Sequence, residues 1–481
     1  MIPSQFLRRL SMHFLAQQRT RALSQAVIDE ISSIVGQENV NRSTTVRQKH
    51  SFDQGPYNPA APDIVVFPGS TAEVSRVART CYEHGVPMVP YGYGSGFEGG
   101  VQAVNGGVCI CFQNMNKVLE VQGNDHTAIV QPGVSWREIN AFVHQSGLWF
   151  PVDTGVDSSI GGMCATSAST TNAILYGTMR QNALNLEVVL PDGKVIDTAG
   201  KTKRCFKSTA GYNLTSLFIG SEGTLGIITK ATLRLYCLPE VITTAVCTFP
   251  TVTSAIDTVL LLLRTNIPVA RVDFIDDLSI RVCNQFTNKF TPAVPTLFID
   301  LHATNSSTSE YIKDVKEIVH DSGGGDFKWA TDKEERSRLM WSRNSLYFAT
   351  RTMKSEARGI LNDVSVPISN LPELITETKE DIEAVGIVGS TLAHVGDGTF
   401  HTTVLFDPSN KEELVKAREV SARISDRALR LDGTCSAEHG IGLGKKDLLL
   451  RQVGKDGLEL MRSIKKSFDP KNIMNPGKIF S

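Results

Sequence analysis

Between residues 61 and 240 short apolar runs alternate with amphipathic stretches. Ile64-Val65-Val66-Phe67 is a continuous apolar run bounded by Pro68-Gly69, which predicts a short buried strand. Ser70 and Thr71 then supply a helix cap, Glu73 stands near its start, and Val74, Val77, Ala78 and Cys81 fall at helical spacing up to Gly85. Further extended pieces are predicted at Val86–Pro90, Gly107–Cys111, Lys117–Val121 and Thr127–Gly133. Trp136–Gly147 reads as an amphipathic helix with Ile139, Phe142 and Val143 inward. Pro191-Asp192-Gly193, between Leu186–Leu190 and Val195–Asp197, is a hairpin turn. Ile227–Thr229 and Ala231–Leu235 follow as strand.

Beyond Pro239 the pattern changes. Strands alternate with longer helices at Thr253–Arg264, Glu310–Ser322, Leu371–Val385 and Lys411–Leu431, which predicts an α+β region with an antiparallel sheet covered by helices. The expected organisation is a leader over 1–28, a first domain over 29–240, a second over 241–432, and a C-terminal segment over 433–481.

Composition narrows the reading. The 481 residues carry 49 Lys and Arg against 50 Asp and Glu, and this balance argues against a nucleic-acid partner. No apolar run approaches the roughly 20 residues that span a bilayer. The nine cysteines form no CxxC pair, which disfavours a zinc or disulfide scaffold and points to a reducing compartment. Residues 1–28 hold Arg8, Arg9, Arg19 and Arg21 and no acid before Asp29, the composition of a mitochondrial presequence.

Glycines point to a ligand. Gly94-Ser95-Gly96-Phe97-Glu98-Gly99 spells GxGxxG, but strands rather than a helix are predicted to follow it, so a dinucleotide turn is rejected. Alternating glycines in Tyr91–Gly96 instead let successive N–H groups converge as an anion-binding nest. Two further stretches, Pro151–Met163 and Gly220–Ile227, share this character, which suggests one long ligand laid across three loops.

In order, these three motifs resemble the FAD domain of vanillyl-alcohol-oxidase/PCMH type flavoproteins. The resemblance implies a two-subdomain FAD domain, an α+β cap domain for substrate, and a C-terminal segment returning to the FAD domain. It places FAD against Tyr91, Gly92, Gly94, Ser95, Gly96 and Phe97; against Pro151, Asp153, Thr154, Gly155, Ser158, Ile160, Gly161 and Gly162; and against Gly220, Glu222, Gly223, Gly226, Ile227 and Asn475. No His or Cys lies in Tyr91–Gly100, so the flavin is expected to be held non-covalently.

A second constellation lies near the C-terminus. His394 and His401 flank Gly396-Asp397-Gly398, and a tight turn there would bring both imidazoles together. Glu438-His439 follows after Cys435. Two histidines and a carboxylate can form a facial metal set with open positions, or can be unrelated, satisfied polar residues. The pattern resembles that of FAD-linked D-2-hydroxy-acid dehydrogenases, especially their mitochondrial, cytochrome-linked branch acting on D-lactate. That resemblance implies a divalent metal, Mn or Zn, on His394, His401 and Glu438, and His439 as general base, although its adjacency to Glu438 leaves a ligand role open. Leu339–Arg343 resembles the family's substrate-arginine stretch, so Arg343 is expected to grip the carboxylate, with Arg351 and Arg358 as runners-up. Relatives acting on diacids carry a Lys where this chain has Leu361, which implies a small or apolar substrate side chain. The implied reaction is oxidation of a D-2-hydroxy acid, with hydride passing to flavin N5 and electrons on to a carrier such as cytochrome c. The alternatives are an oxidase using O2, a related D-2-hydroxy-acid dehydrogenase with a different preferred substrate, and a flavin-binding protein without catalysis.

Overall fold

The computed structural model describes residues 23–201, 204–287, 292–354 and 356–480. Arg8, Arg9, Arg19 and Arg21 lie outside the described residues. A helix spans Gln25–Val35, capped by the Ser24 hydroxyl, and buries Val27 and Ile28 in the first core. The last residues of the expected 1–28 leader therefore belong to the folded domain.

The first sheet orders Val40–Asn41, Ile64–Val66, Val108–Cys111 and Met88–Tyr91, parallel among the last three. Helix Thr71–His84 covers it. The predicted signals are all present: Ser70 accepts from the Glu73 N–H, and Gly85 ends the helix in the left-handed region. A second, antiparallel sheet orders Val118–Gln122, Thr127–Val130, Ile227–Arg234, Ala183–Val189 and Val195–Asp197. Helix Trp136–Val143 packs on its core through Ile139 and Val143, behind a Ser135–Glu138 capping box. Phe142, expected inward, is 60% exposed. It lies on the flank of the stripe that Ile139 and Val143 define, where the core does not reach.

From Val241 to Phe406 a seven-stranded antiparallel sheet orders Gly325–Ala330, Val241–Thr248, Thr296–Ala303, Val269–Ile275, Gly389–His394, Thr399–Phe406 and Arg358–Ser365. Helices Val252–Leu262, Thr308–Asp321, Leu371–Val385 and Lys411–Arg430 cover one face through Ile256, Val315, Leu374 and Val420. The other face carries Asp277–Thr287 and Trp341–Thr352, packed through Ile280, Cys283, Leu346 and Ala349.

The C-terminal segment closes the molecule back on its beginning. After helix Lys446–Phe468, Met474 bridges Met88 of the first sheet, and the Asn475 N–H donates to the Met88 carbonyl at 2.7 Å. The buried Lys478 Nζ donates to the Gln102 carbonyl at 2.6 Å. No helix among the described residues is long and apolar enough to cross a membrane.

Candidate active site

One open cleft runs between the glycine loops and the cap sheet. Three loops supply most of its wall. The first contributes Tyr91, Gly92, Gly94, Ser95, Gly96 and Phe97; the second Asp153, Thr154, Gly155, Ser158, Gly161 and Gly162; the third Glu222, Gly223 and Gly226, with Asn475 beside it. Hydroxyls tie the first two loops together: Ser95 and Ser158 Oγ lie 2.9 Å apart, and Thr154 donates to Ser158 at 3.1 Å. Gly94 has φ +65°, and a Cβ there would stand 2.4 Å from the Tyr91 hydroxyl, so this turn needs glycine.

Four expected cofactor residues do not line the cleft. Ile160 and Ile227 are fully buried in the cores behind it, because their apolar side chains pack under the loops. The Pro151 carbonyl accepts from Thr170, and the Gly220 N–H donates to the Cys164 carbonyl, so both brace the wall from behind. Glu222 lines the cleft, but its carboxylate accepts from the N–H groups of Ile441 at 2.7 Å and Gly442 at 2.8 Å. Asp53, not anticipated, braces the first loop by accepting from the Gly99 N–H at 2.7 Å. Its own sequence gives little signal beyond the Asp53-Gln54-Gly55 turn.

The cap contributes side chains. Strand Gly389–His394 turns through Val395–Asp397 and Gly398, at φ +83°, into strand Thr399–Phe406. His394 pairs with Thr399 and His401 with Leu392, so both histidines face the same side, with ring centroids 5.2 Å apart. The expected turn thus does bring the imidazoles together. Glu438 Oε1 is 3.0 Å from His401 Nε2, and the His439 ring stacks between His401 and Phe97 at 5.4 and 4.7 Å.

Among the described residues, two sets of three side chains could hold a metal: His394, His401 and Glu438, or Asp363, His401 and His439, each with ligand atoms within 4.8 Å of one another. The first set fits a divalent cation by donor chemistry. His394 directs Nδ1 to Asp273 at 2.6 Å, which frees Nε2 for a ligand role. The carboxylate of Asp363 is already occupied by five donors, described below.

Asp273 also receives Arg343 Nε at 2.6 Å, leaving the two terminal nitrogens of Arg343 for a ligand carboxylate. Arg343 reaches the cleft from helix Trp341–Thr352. Arg351 and Arg358 are exposed and outside the cleft wall. Leu361 is half-buried on the same sheet face as Asp363 and is also outside that wall.

Burial sets the charge states. It pulls the His439 imidazole down to about 4, so the ring is neutral at pH 7. Burial raises the Glu438 carboxyl, but the His401 hydrogen bond and the surrounding imidazoles overcome this and hold it at about 2. Burial lowers His401, yet the Glu438 hydrogen bond and charge bring it out above its ordinary value. Glu98, beneath the first loop, is pushed up to about 7 by burial despite Lys445 at 3.2 Å and the Tyr57 hydroxyl at 2.6 Å.

The architecture is that of the vanillyl-alcohol-oxidase/PCMH class. The superposition on p-cresol methylhydroxylase with substrate bound has a TM-score of 0.75 at 18% identity, covering 96% of this chain and 98% of that one. Residues 62–199 match the FAD binding domain, and residues 238–479 match the C-terminal domain of FAD linked oxidases. The chain belongs to the FAD linked oxidase family, and FAD is its cofactor. A probable mitochondrial D-lactate dehydrogenase of Danio rerio is 47% identical over 95% of this chain and 92% of its own. A mitochondrial D-lactate dehydrogenase [cytochrome] of Arabidopsis thaliana is 40% identical over 94% of this chain and 80% of its own.

Proposed function

We propose that the protein oxidises D-lactate, and related D-2-hydroxy monocarboxylic acids with small or apolar side chains, to 2-oxo acids. One observation carries this reading: Arg343, His394, Glu438 and a neutral His439 meet at the wall of a cleft otherwise built from FAD-binding loops, with His401 3.0 Å from Glu438. A 2-hydroxy acid presents a carboxylate and an adjacent hydroxyl, and these two groups match a guanidinium and a cation site side by side. When bound, FAD supplies the hydride acceptor and a divalent metal, Mn or Zn, the Lewis acid that lowers the hydroxyl pKa.

The chain's own residues do the rest. Arg343 fixes the carboxylate through its terminal nitrogens while Asp273 holds its Nε. His439, kept neutral by burial, accepts the hydroxyl proton as general base. Its ring stacks on His401 and lies tilted against Phe97. The first loop offers no His or Cys for a bond to the flavin, which supports non-covalent FAD. The names of the zebrafish and Arabidopsis relatives support a mitochondrial location, and the latter supports a cytochrome as electron acceptor.

Anaerobic titration of the purified protein with D- and L-lactate, followed by flavin absorbance, tests the proposal. Bleaching by the D-isomer is expected. A flavin that stays yellow with D-lactate refutes it, and peroxide yield in place of cytochrome c reduction would move the reading to an oxidase.

A further inference from the structure

We propose that Asp363 is a positioning residue: its carboxylate gathers the Ser436 hydroxyl and the backbone N–H groups of Ala437, Glu438 and His439, and so sets where the Glu438 and His439 side chains stand. The four contacts are 2.9 Å from Ser436 Oγ, 3.2 Å from Ala437 N, 3.1 Å from Glu438 N and 2.8 Å from His439 N. This inference rests on the proposed roles of Glu438 and His439.

Asp363 lies on strand Arg358–Ser365, opposite His401, and is fully buried. Burial alone would neutralise it. The imidazoles of His439 and His401, Lys445 and the His439 N–H overcome that and hold the carboxyl well below its ordinary range. Lys445 Nζ sits 3.2 Å from the Asp363 carbonyl and 3.5 Å from its carboxylate. Nδ1 of both His401 and His439 is buried without a hydrogen-bond partner, each 3.9 Å from Asp363. At that distance neither ring is bonded to the carboxylate. The carboxylate is spent on the backbone, so it acts as scaffold.

The segment is held at its other end as well. Glu222, from the third FAD loop, receives the N–H groups of Ile441 and Gly442. Residues 436–442 are therefore slung between two buried carboxylates, one from each domain, with Glu438 and His439 presented to the cleft between them. Arg343 and His394 hang on a different carboxylate, Asp273. Removing the Asp363 charge strands several buried donors at once and releases Glu438 and His439, while the carboxylate grip at Arg343 stays in place.

The test compares wild-type FAD holoenzyme with Asp363→Asn and with the milder Ser436→Ala, measuring anaerobic flavin reduction by D-lactate and, separately, Zn2+ and Mn2+ affinity by titration. For Asp363→Asn the limiting reduction rate and the metal affinity are each expected to fall about 10- to 100-fold, with KM for D-lactate changed far less. Ser436→Ala is expected to move both in the same direction by a smaller factor. Wild-type reduction rate and metal affinity in Asp363→Asn overturn the proposal. If that variant fails to retain FAD, Ser436→Ala decides, and wild-type values there overturn it. If D-lactate does not reduce the wild-type flavin, the functional reading fails, and the metal titrations still test the positioning.

Discussion

The FAD-domain wall of the cleft is made mostly of main chain, with glycines and small hydroxyl residues from three loops, whereas the opposite wall is made of long ionisable side chains standing on a sheet, a helix and the 436–442 segment. The first wall depends on what is missing: a Cβ at Gly94 would meet the Tyr91 hydroxyl. The second depends on what supports it, because Arg343 and His394 share Asp273, and Glu438 and His439 share Asp363. The two walls should therefore fail differently. Damage to the loops should cost cofactor, and damage to the cap should cost rate with the cofactor still bound.

His439→Ala gives the largest expected effect on the cap side. Flavin reduction by D-lactate should fall about 10²–10⁴-fold, while FAD content per protein stays at the wild-type level. Loss of FAD in this variant would break the division between the walls. Gly94→Val tests the loop side. Forcing a branched residue to φ +65° stores about 1–3 kcal/mol of strain, and FAD affinity should drop about tenfold or more. Retained affinity with slowed reduction would reverse the assignment. Asp273→Asn should sharpen the cap side by raising KM for D-lactate about tenfold as Arg343 loses its brace, which steady-state kinetics reads directly.

The smallest effect concerns the seam between the domains. The Tyr176 hydroxyl and His302 Nδ1 lie 2.7 Å apart, among Trp149 and Tyr236. Burial holds the His302 imidazole down at about 4. An unfolded chain binds a proton at His302 below about 6.5, and the folded one does not until about 4. This contribution to stability is fully present above 6.5 and is lost as pH falls toward 4, by about 1–2 kcal/mol between pH 7 and 5. Urea unfolding at the two pH values measures it, and His302→Gln should flatten the difference. An unchanged slope in that variant would remove His302 from the account.

Local signals in the chain carried much of this arrangement. The Ser70 cap and the Gly85 stop defined a helix, and Gly396-Asp397-Gly398 folded two histidines together, because each depends only on residues a few positions apart. The loop motifs marked the cofactor wall, yet sequence order could not separate residues facing the cleft from Pro151, Ile160, Gly220 and Ile227, which face away from it. The side chains of Ile160 and Ile227 are apolar, and their burial was decided by cores that assemble from distant strands. The supports were invisible for the same reason. Asp273 is 121 residues from His394, and Asp363 is 76 from His439. No periodicity links such pairs: sheet register joins the first, and a backbone N–H to carboxylate contact from an irregular segment joins the second. The Glu222 carboxylate bridges 219 residues to Ile441, so its motif position marked the cleft wall but not its partner in the C-terminal segment.

The C-terminal strap has a consequence for biosynthesis. Asn475 Nδ2 donates to the carbonyls of Gly100 and Glu222, and Lys478 clasps Gln102, so the first and third loops are locked by residues that leave the ribosome hundreds of positions later. The cradle is therefore complete only once residues 475–478 have been made. A nascent chain that lacks them would carry an unfinished cradle.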